Sequence, residues 1–122
     1  MEDGLIIDDN RNTADALQQM LELLDLRARV AYGSSAAMTV LGNMIPRYVC
    51  LDINMPGVDG TEVLAYIRRD PRLRKVPVIV VTSDDQPETR QQVMKGGAQA
   101  ILIKPATIDA LEGALKKAGI VK

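Results

Sequence analysis

Histidine, tryptophan and phenylalanine are absent from this chain, and cysteine occurs once. Without an imidazole, histidine acid–base catalysis and phosphohistidine chemistry within the chain are excluded. Cys50 cannot form an intrachain disulfide, and with no second sulfur or histidine it cannot contribute to a zinc-type site. It falls within an apolar run and reads as an inert buried thiol in a reducing compartment. The aromatic residues are three tyrosines, Tyr32, Tyr48 and Tyr66. None interrupts the basic run Arg68-Arg69-Asp70-Pro71-Arg72-Leu73-Arg74-Lys75, which therefore reads as a solvated loop rather than a base-stacking surface. Neither sign of charge dominates, since the net charge is -1, so no overall field recruits nucleic acid or an anionic membrane. No long apolar stretch suggests a membrane span or a secretory leader, and the expected location is cytoplasmic.

The 122 residues, 47% of them apolar, suffice for one domain, expected over 1–122. Five short apolar runs alternate with five amphipathic segments. The pattern predicts strands near 4–8, 27–32, 48–52, 77–82 and 100–103, and helices near 12–25, 34–44, 60–69, 87–95 and 107–118. Ala16, Leu17, Met20, Leu21 and Leu24 form the apolar stripe expected of the first helix. Asp59 with Glu62, and Asp85 with Glu88, have the spacing of capping boxes, with an acid in place of Ser or Thr. Gly96-Gly97 and Gly119 stand where their helices should stop. Strict alternation implies an α/β fold, a doubly wound five-stranded parallel sheet with right-handed crossovers. All strand carboxyl ends then share one edge, which is where such sheets place their chemistry.

That edge collects an unusual set. Asp8 and Asp9 follow Leu5-Ile6-Ile7; Asp52 follows Val49-Cys50-Leu51. Thr82 closes Val78-Ile79-Val80-Val81, and Lys104 closes Ile101-Leu102-Ile103. Three carboxylates repel one another, and one lysine offsets them incompletely. A divalent cation does so better, and Mg²⁺ takes hard oxygen ligands from carboxylates while keeping positions for water and phosphate oxygens. A cation, a free carboxylate, a hydroxyl and an ammonium suit phosphoryl transfer, which needs positioning and charge neutralisation above all. Asp52 would be the nucleophile. Thr82 and Lys104 would hold phosphoryl oxygens, joined by the backbone N–H groups of Ile53 and Ser83. Taken singly, the acid pair also reads as a helix cap and Lys104-Pro105 as a turn. Their arrival at one edge favours the site.

Asp8-Asp9, the segment Asp52-Ile53-Asn54-Met55-Pro56-Gly57-Val58-Asp59-Gly60, Thr82-Ser83 and Lys104-Pro105, in this order, give the whole chain its resemblance to a known family. It resembles the receiver domain of two-component response regulators, most closely the stand-alone chemotaxis type. The resemblance implies a flavodoxin-like (βα)5 fold with strand order 2-1-3-4-5. It implies a phosphorelay role without classical enzyme turnover beyond self-phosphorylation and autodephosphorylation. A sensor histidine kinase or histidine phosphotransfer protein would supply the phosphoryl group to Asp52. Asp9 and Asp52 would bind Mg²⁺ directly, Asp8 through water, and the backbone carbonyl of Asn54 would complete the set. Asn54 and Asp84 would flank the path of the water that removes the phosphoryl group. An output protein would read the face made by the fourth helix, fifth strand and fifth helix, with no direct contact to nucleic acid or membrane. The chain departs from the family at Ile101, where an aromatic switch residue is usual, and at Ala106, which is often large and apolar.

Three other readings compete. A phosphatase of the haloacid dehalogenase kind would need a second acid two residues after the nucleophile, where this chain has Asn54. A flavodoxin-like cofactor binder would need Gly, Ser or Thr in the first loop, where Asp8-Asp9 stand. A receiver fold acting as an interaction module without phosphorylation is the third reading, left open by Ile101 beside an otherwise intact site.

Overall fold

The structure, a computed structural model, describes residues 3–55 and 59–122. β1 (Gly4–Ile7), β3 (Val49–Leu51) and β4 (Val78–Thr82) are buried at every position, whereas β2 (Ala28–Ala31) and β5 (Ala100–Ile103) mix buried and accessible positions. The sheet is parallel and its order is β2-β1-β3-β4-β5. The continuous apolar runs are therefore the three interior strands, which need helices on both faces, and the mixed runs are the edges. Ile7 pairs with Leu51, Leu51 with Val80, and Thr82 with Ile103. This register brings the strand exits level, so the residues that follow them meet.

Helices α1 (Arg11–Leu23) and α5 (Ile108–Lys117) cover one face, packing Leu17, Leu21, Leu111 and Leu115 on Ile6, Cys50, Ile79 and Val81. The other face carries α2 (Ser34–Asn43), α3 (Gly60–Arg69) and α4 (Pro87–Lys95) over Leu5, Ile7, Leu51 and Val80. All ten elements lie where periodicity predicts them, with ends shifted by a residue or two. Cys50 is buried and free, and burial pushes its thiol pKa up to about 12, as an inert core sulfur requires. Among the described residues, no helix is long and apolar enough to cross a membrane.

Three local expectations need correction. The buried positions of α1 are Ala14, Leu17 and Leu21; Ala16, placed in the stripe by sequence, is exposed. One residue is a turn of about 100° in a helix, so Ala16 lies off the face centred on 14, 17 and 21. Asp59 does cap α3, accepting from Thr61 N at 2.9 Å. Asp85 does not cap α4: Pro87 is the first helical residue and Gln86 the N-cap, with no side-chain cap bond. Proline fixes the first helical position and keeps its predecessor extended. It is Asp84 that receives the N–H of Gln86, at 3.0 Å.

The basic run, too, differs from a solvated loop. Arg68 is half-buried and its guanidinium is occupied by the protein. Its guanidinium donates to Gly97 O at 2.8 and 3.1 Å, Val76 O at 2.7 Å, Arg74 O at 3.1 Å and Gln99 Oε1 at 3.0 Å. It ties the end of α3 to the α3–β4 and α4–β5 connections. Partial burial lowers its pKa, but an arginine in this setting stays charged. Only arginine offers enough donors, in a rigid fork, for four acceptors at once. Arg68→Met keeps the aliphatic stem and removes this donor from three backbone carbonyls and from Gln99 Oε1. It should cost about 2–4 kcal/mol in urea unfolding, and Arg68→Lys should recover only a small part. A loss below about 1 kcal/mol would show that water replaces the guanidinium.

Candidate phosphoryl-transfer site

The level strand exits place the site by chain geometry alone. Asp8 N donates to Ala31 O at 3.1 Å and Asp52 N to Ile7 O at 2.9 Å, so β2, β1 and β3 extend their pairing by one step into the acids. Asp8 and Asp52 are buried, Thr82 is fully buried and Asp9 is exposed. One carboxylate oxygen from each of Asp8, Asp9 and Asp52 lies within 4.8 Å of the others. From β5, Lys104 reaches across with Nζ 2.9 Å from Asp8 Oδ2 and 3.2 Å from Asp52 Oδ2. Lys104 N is held by Thr82 O at 2.8 Å, and the Lys104–Pro105 peptide is cis.

Burial raises the pKa of Asp52; the Asn54 N–H and the Lys104 ammonium oppose the rise, and the Asp8 charge adds to it. Burial works against the Lys104 ammonium, but the hydrogen bond to Asp8 and the charges of Asp52 and Asp8 outweigh it, and its pKa is raised. Lys104 is thus a fixed cation. Asp52 is a carboxylate held with less solvation than it would have in water, a condition that favours a nucleophile.

The loop after Asp52 is shaped by short contacts. Asn54 N donates to Asp52 Oδ1 at 3.0 Å, and Gly60 N closes the loop on Ile53 O at 3.1 Å. A Cβ on Gly60 would overlap Ile53 Cα and the Asp52 carbonyl. Glycine is required there because α3 starts directly against the backbone that follows Asp52. Pro56, Gly57 and Val58, part of the sequence motif, lie outside the described residues.

Sequence reasoning placed Asp8, Asp9, Asp52, Thr82 and Lys104 together, and the structure brings them together. Ile53 is buried directly after Asp52, and Ser83 is exposed directly after Thr82. Ile101 is partly buried on the face that carries α4. Asn54 and Asp84 have partners that the sequence did not reveal. Thr82 Oγ1 accepts from Asn54 Nδ2 and from Asp84 N, each at 3.2 Å. The Asp84 carboxylate turns to α4, taking Gln86 N and the hydroxyl of Thr89, the latter at 2.7 Å. Thr89 carried no signal of its own, because a threonine five residues past an acid fits no capping pattern. With both lone pairs of its oxygen engaged, the Thr82 hydroxyl still has a proton to give to an acceptor in the site.

The donor set is entirely hard oxygen, two of the three carboxylates are buried, and one ammonium faces them. That combination fits Mg²⁺ or Ca²⁺ and does not fit a soft metal. Beside it, a cavity of about 470 Å³ opens between α1 and the β5–α5 connection, lined by Ala16, Leu17, Met20, Lys104, Pro105 and Ala106 among others. Small side chains at Ala16 and Ala106 leave this space open.

Comparison with known proteins agrees with the geometry. Residues 5–116 match the response regulator receiver domain family. The probable methanogenesis regulatory protein FilR2 of Methanothrix harundinacea is 32% identical over 88% of this chain and 75% of its own length. Response regulator Rre1 of Synechocystis is 32% identical over 92% of this chain and 49% of its own. The chemotaxis response regulator CheY4 of Vibrio cholerae shares the fold with a TM-score of 0.88 at 22% identity, over 97% of this chain and 98% of its own. A Burkholderia pseudomallei response regulator, solved with a phosphorylated aspartic acid and a calcium ion, superposes with a TM-score of 0.85. It is 25% identical over 98% of this chain and 70% of its own. The chain belongs to the receiver domain family of two-component response regulators, whose members are signalling domains rather than classical enzymes.

Proposed function

We propose that Asp52 accepts a phosphoryl group from a sensor histidine kinase or histidine phosphotransfer protein, in the cytoplasm, and that the aspartyl phosphate alters a protein-binding face. The observation that carries this reading is the buried Asp52 carboxylate, set within 4.8 Å of two more acids and 3.2 Å from the Lys104 ammonium. The phosphorylated aspartic acid of the Burkholderia pseudomallei relative supports it. In the transfer, an Asp52 carboxylate oxygen forms the new bond to phosphorus as the donor's phosphorus–nitrogen bond breaks, and the imidazole leaves with that electron pair. Asp9 and Asp52 would hold Mg²⁺ directly, Asp8 through water and Asn54 by its backbone carbonyl. Bound Mg²⁺ would supply neutralisation of charge on the phosphoryl oxygens. Lys104 gives a second positive charge, the Thr82 hydroxyl donates its proton to a phosphoryl oxygen, and the N–H groups of Ile53 and Ser83 add dipoles.

Metal binding can be tested by calorimetry. Asp9→Ala should weaken Mg²⁺ by at least about tenfold. Affinity should also fall as pH drops, since the ligands must be ionised; the raised pKa of Asp52 starts that fall at a higher pH than an ordinary aspartate would. Equal Mg²⁺ affinity in Asp9→Ala removes that residue from the metal site.

The phosphoacceptor is tested by incubation with Mg²⁺ and acetyl phosphate, followed by intact mass. The parent should gain one phosphoryl group and Asp52→Asn none. Lys104→Ala should accept some phosphate with a smaller conformational response, because its ammonium stabilises the product state as well as the transition state. Labelling of Asp52→Asn at the parent's level would disprove the assignment. A parent that stays unlabelled would favour the phosphorylation-independent module that aliphatic Ile101 leaves open.

Ile101 also sets the expected pattern of change. It is β-branched, carries no polar atom and lies near Thr82 on the same sheet face, where Val80 is its partner across the ladder. Space vacated by Thr82 is filled there by a small shift. Hydrogen exchange with a phosphoryl mimic should change the loop 83–87 and the start of α4 more than 99–103. Protection changes confined to 99–103 would reverse this expectation. Asn54 and Asp84, two residues past Asp52 and Thr82, would set the lifetime of the aspartyl phosphate by orienting water. We expect that lifetime to be short to intermediate.

A further inference from the structure

Helix α4 is held differently from the others. It buries one residue, Val93, and its main polar attachments lie at its two ends. At the C-terminal end, Arg68 of α3 donates twice to Gly97 O and once to Gln99 Oε1. Gln99 Oε1 also receives Val78 N at 2.6 Å, and Gln99 N donates to Val78 O at 2.8 Å. Gly97 has φ +104°, and a Cβ there would strike the Arg68 side chain. That end is bolted to α3 and β4.

The N-terminal end is tied to the site. Asp84 holds Thr89 of the first turn through Oδ2 and Gln86 N through Oδ1, while its own N–H rests on Thr82 Oγ1. These two bonds hold the Asp84 carboxyl pKa below the usual carboxylate range, the Thr89 hydroxyl contributing most. Thr89 and Asp84 are both partly buried, so the contact is not a fully solvated surface pair. A short unbroken path therefore runs from the Thr82 hydroxyl through the Asp84 backbone and carboxylate to Thr89.

We propose that the Asp84–Thr89 pair is the relay from the Thr82 hydroxyl to α4, and that α4 turns about the Arg68–Gly97 anchor at its far end. Thr89 is then a positioning residue: it touches neither phosphoryl group nor metal and acts through Asp84. The inference rests on the reading of Asp52 as phosphoacceptor and adds to it the side-chain pair that carries the movement and the anchor it turns on. When Thr82 shifts toward a phosphoryl oxygen, Asp84 N loses or follows its acceptor, and the carboxylate carries the first turn of α4 with it. Val93, with partly buried Met94 beside it, is the apolar contact that opposes a rotation, whereas the Arg68 end resists translation. Ile101 has no donor or acceptor with which to compete for this role.

Thr89→Val keeps the side-chain shape and removes the donor; Thr89→Ser keeps the donor. In hydrogen exchange without phosphate, amides 88–92 of Thr89→Val should exchange about tenfold faster than the parent's, and Thr89→Ser should restore them. Thr82→Val should loosen the same amides and add little in the Thr89→Val background, because one path is cut twice. After acetyl phosphate, Thr89→Val should gain the parent's phosphoryl mass while the response of α4 falls to about a third or less. Residues 96–99 should stay unchanged in all forms. Additive effects of Thr82→Val and Thr89→Val overturn the relay, as does a phosphorylated Thr89→Val whose α4 responds like the parent's. An equal change at both ends of α4 overturns the anchor. A parent that gains no phosphate refutes the functional reading instead, and the coupling between Thr82 and Thr89 then decides the relay.

Discussion

Lys104 Nζ lies 2.9 Å from Asp8 and 3.2 Å from Asp52, and the rest of the site depends on that contact. Two carboxylates taken out of water beside each other would raise each other's pKa and splay apart. One ammonium between them offsets part of their charge and leaves the cluster short of positive charge. A shortage of this kind suits a bound cation; a complete neutralisation would make a structural salt bridge. The residues bridged are 96 and 52 positions apart in sequence, so only the assembled sheet, with strand exits level across β1, β3 and β5, brings them together. The fold and the electrostatics are one constraint: the register that pairs Ile7 with Leu51 also pairs the acids that follow them.

A parallel sheet gathers helix C-termini at the edge opposite the site, and their last carbonyls lack partners. Arginines supply them. Arg72 Nη2 donates to Leu41 O in the last turns of α2 at 3.1 Å, Arg68 to Gly97 O just past α4, and Arg47 Nη2 to Ile120 O just past α5 at 2.9 Å. The basic run that looks from sequence like a solvated loop is in part a set of hydrogen-bond donors for helix ends, favoured also by the helix dipoles. The same dipoles favour acids at the helix starts, where Asp59 stands. Acids at one edge and bases at the other thus follow partly from backbone chemistry, even though net charge is near zero.

Sequence periodicity was enough for the ten elements, since β1, β3 and β4 are buried throughout and a parallel sheet leaves such strands one reading. Strand-end residues were equally legible, because any side chain after a strand in this fold must reach the same edge. The misplaced features share another property. Ala16, Asp85 and Arg68 each required knowing a rotation or a partner rather than an element. An alanine fits either face of a helix; an acid near a helix start caps it only from the N-cap position, which Pro87 assigns to Gln86. An arginine in a basic run shows its role only when Gly97 and Gln99 arrive from another connection. Thr89 was invisible for the same reason: its partner Asp84 is placed by β4, and the contact exists only once β4 and α4 are both built.

Burial also decides where a small displacement at Thr82 can go. Toward the sheet interior, Val80 and Val81 are buried and close-packed, and such packing does not yield by fractions of an ångström without cost. Toward β5, Ile101 and Leu102 meet Thr82 and its neighbours only through apolar contact and ladder hydrogen bonds. Toward α4 the path is polar and directional, through Asp84, and the helix at its end buries only Val93. Hydrogen bonds in series transmit displacement because each fixes a distance and an angle, and a weakly buried helix is the element with least to lose by following. With aliphatic Ile101 on β5, the proposed route from the hydroxyl therefore leads along the β4–α4 connection.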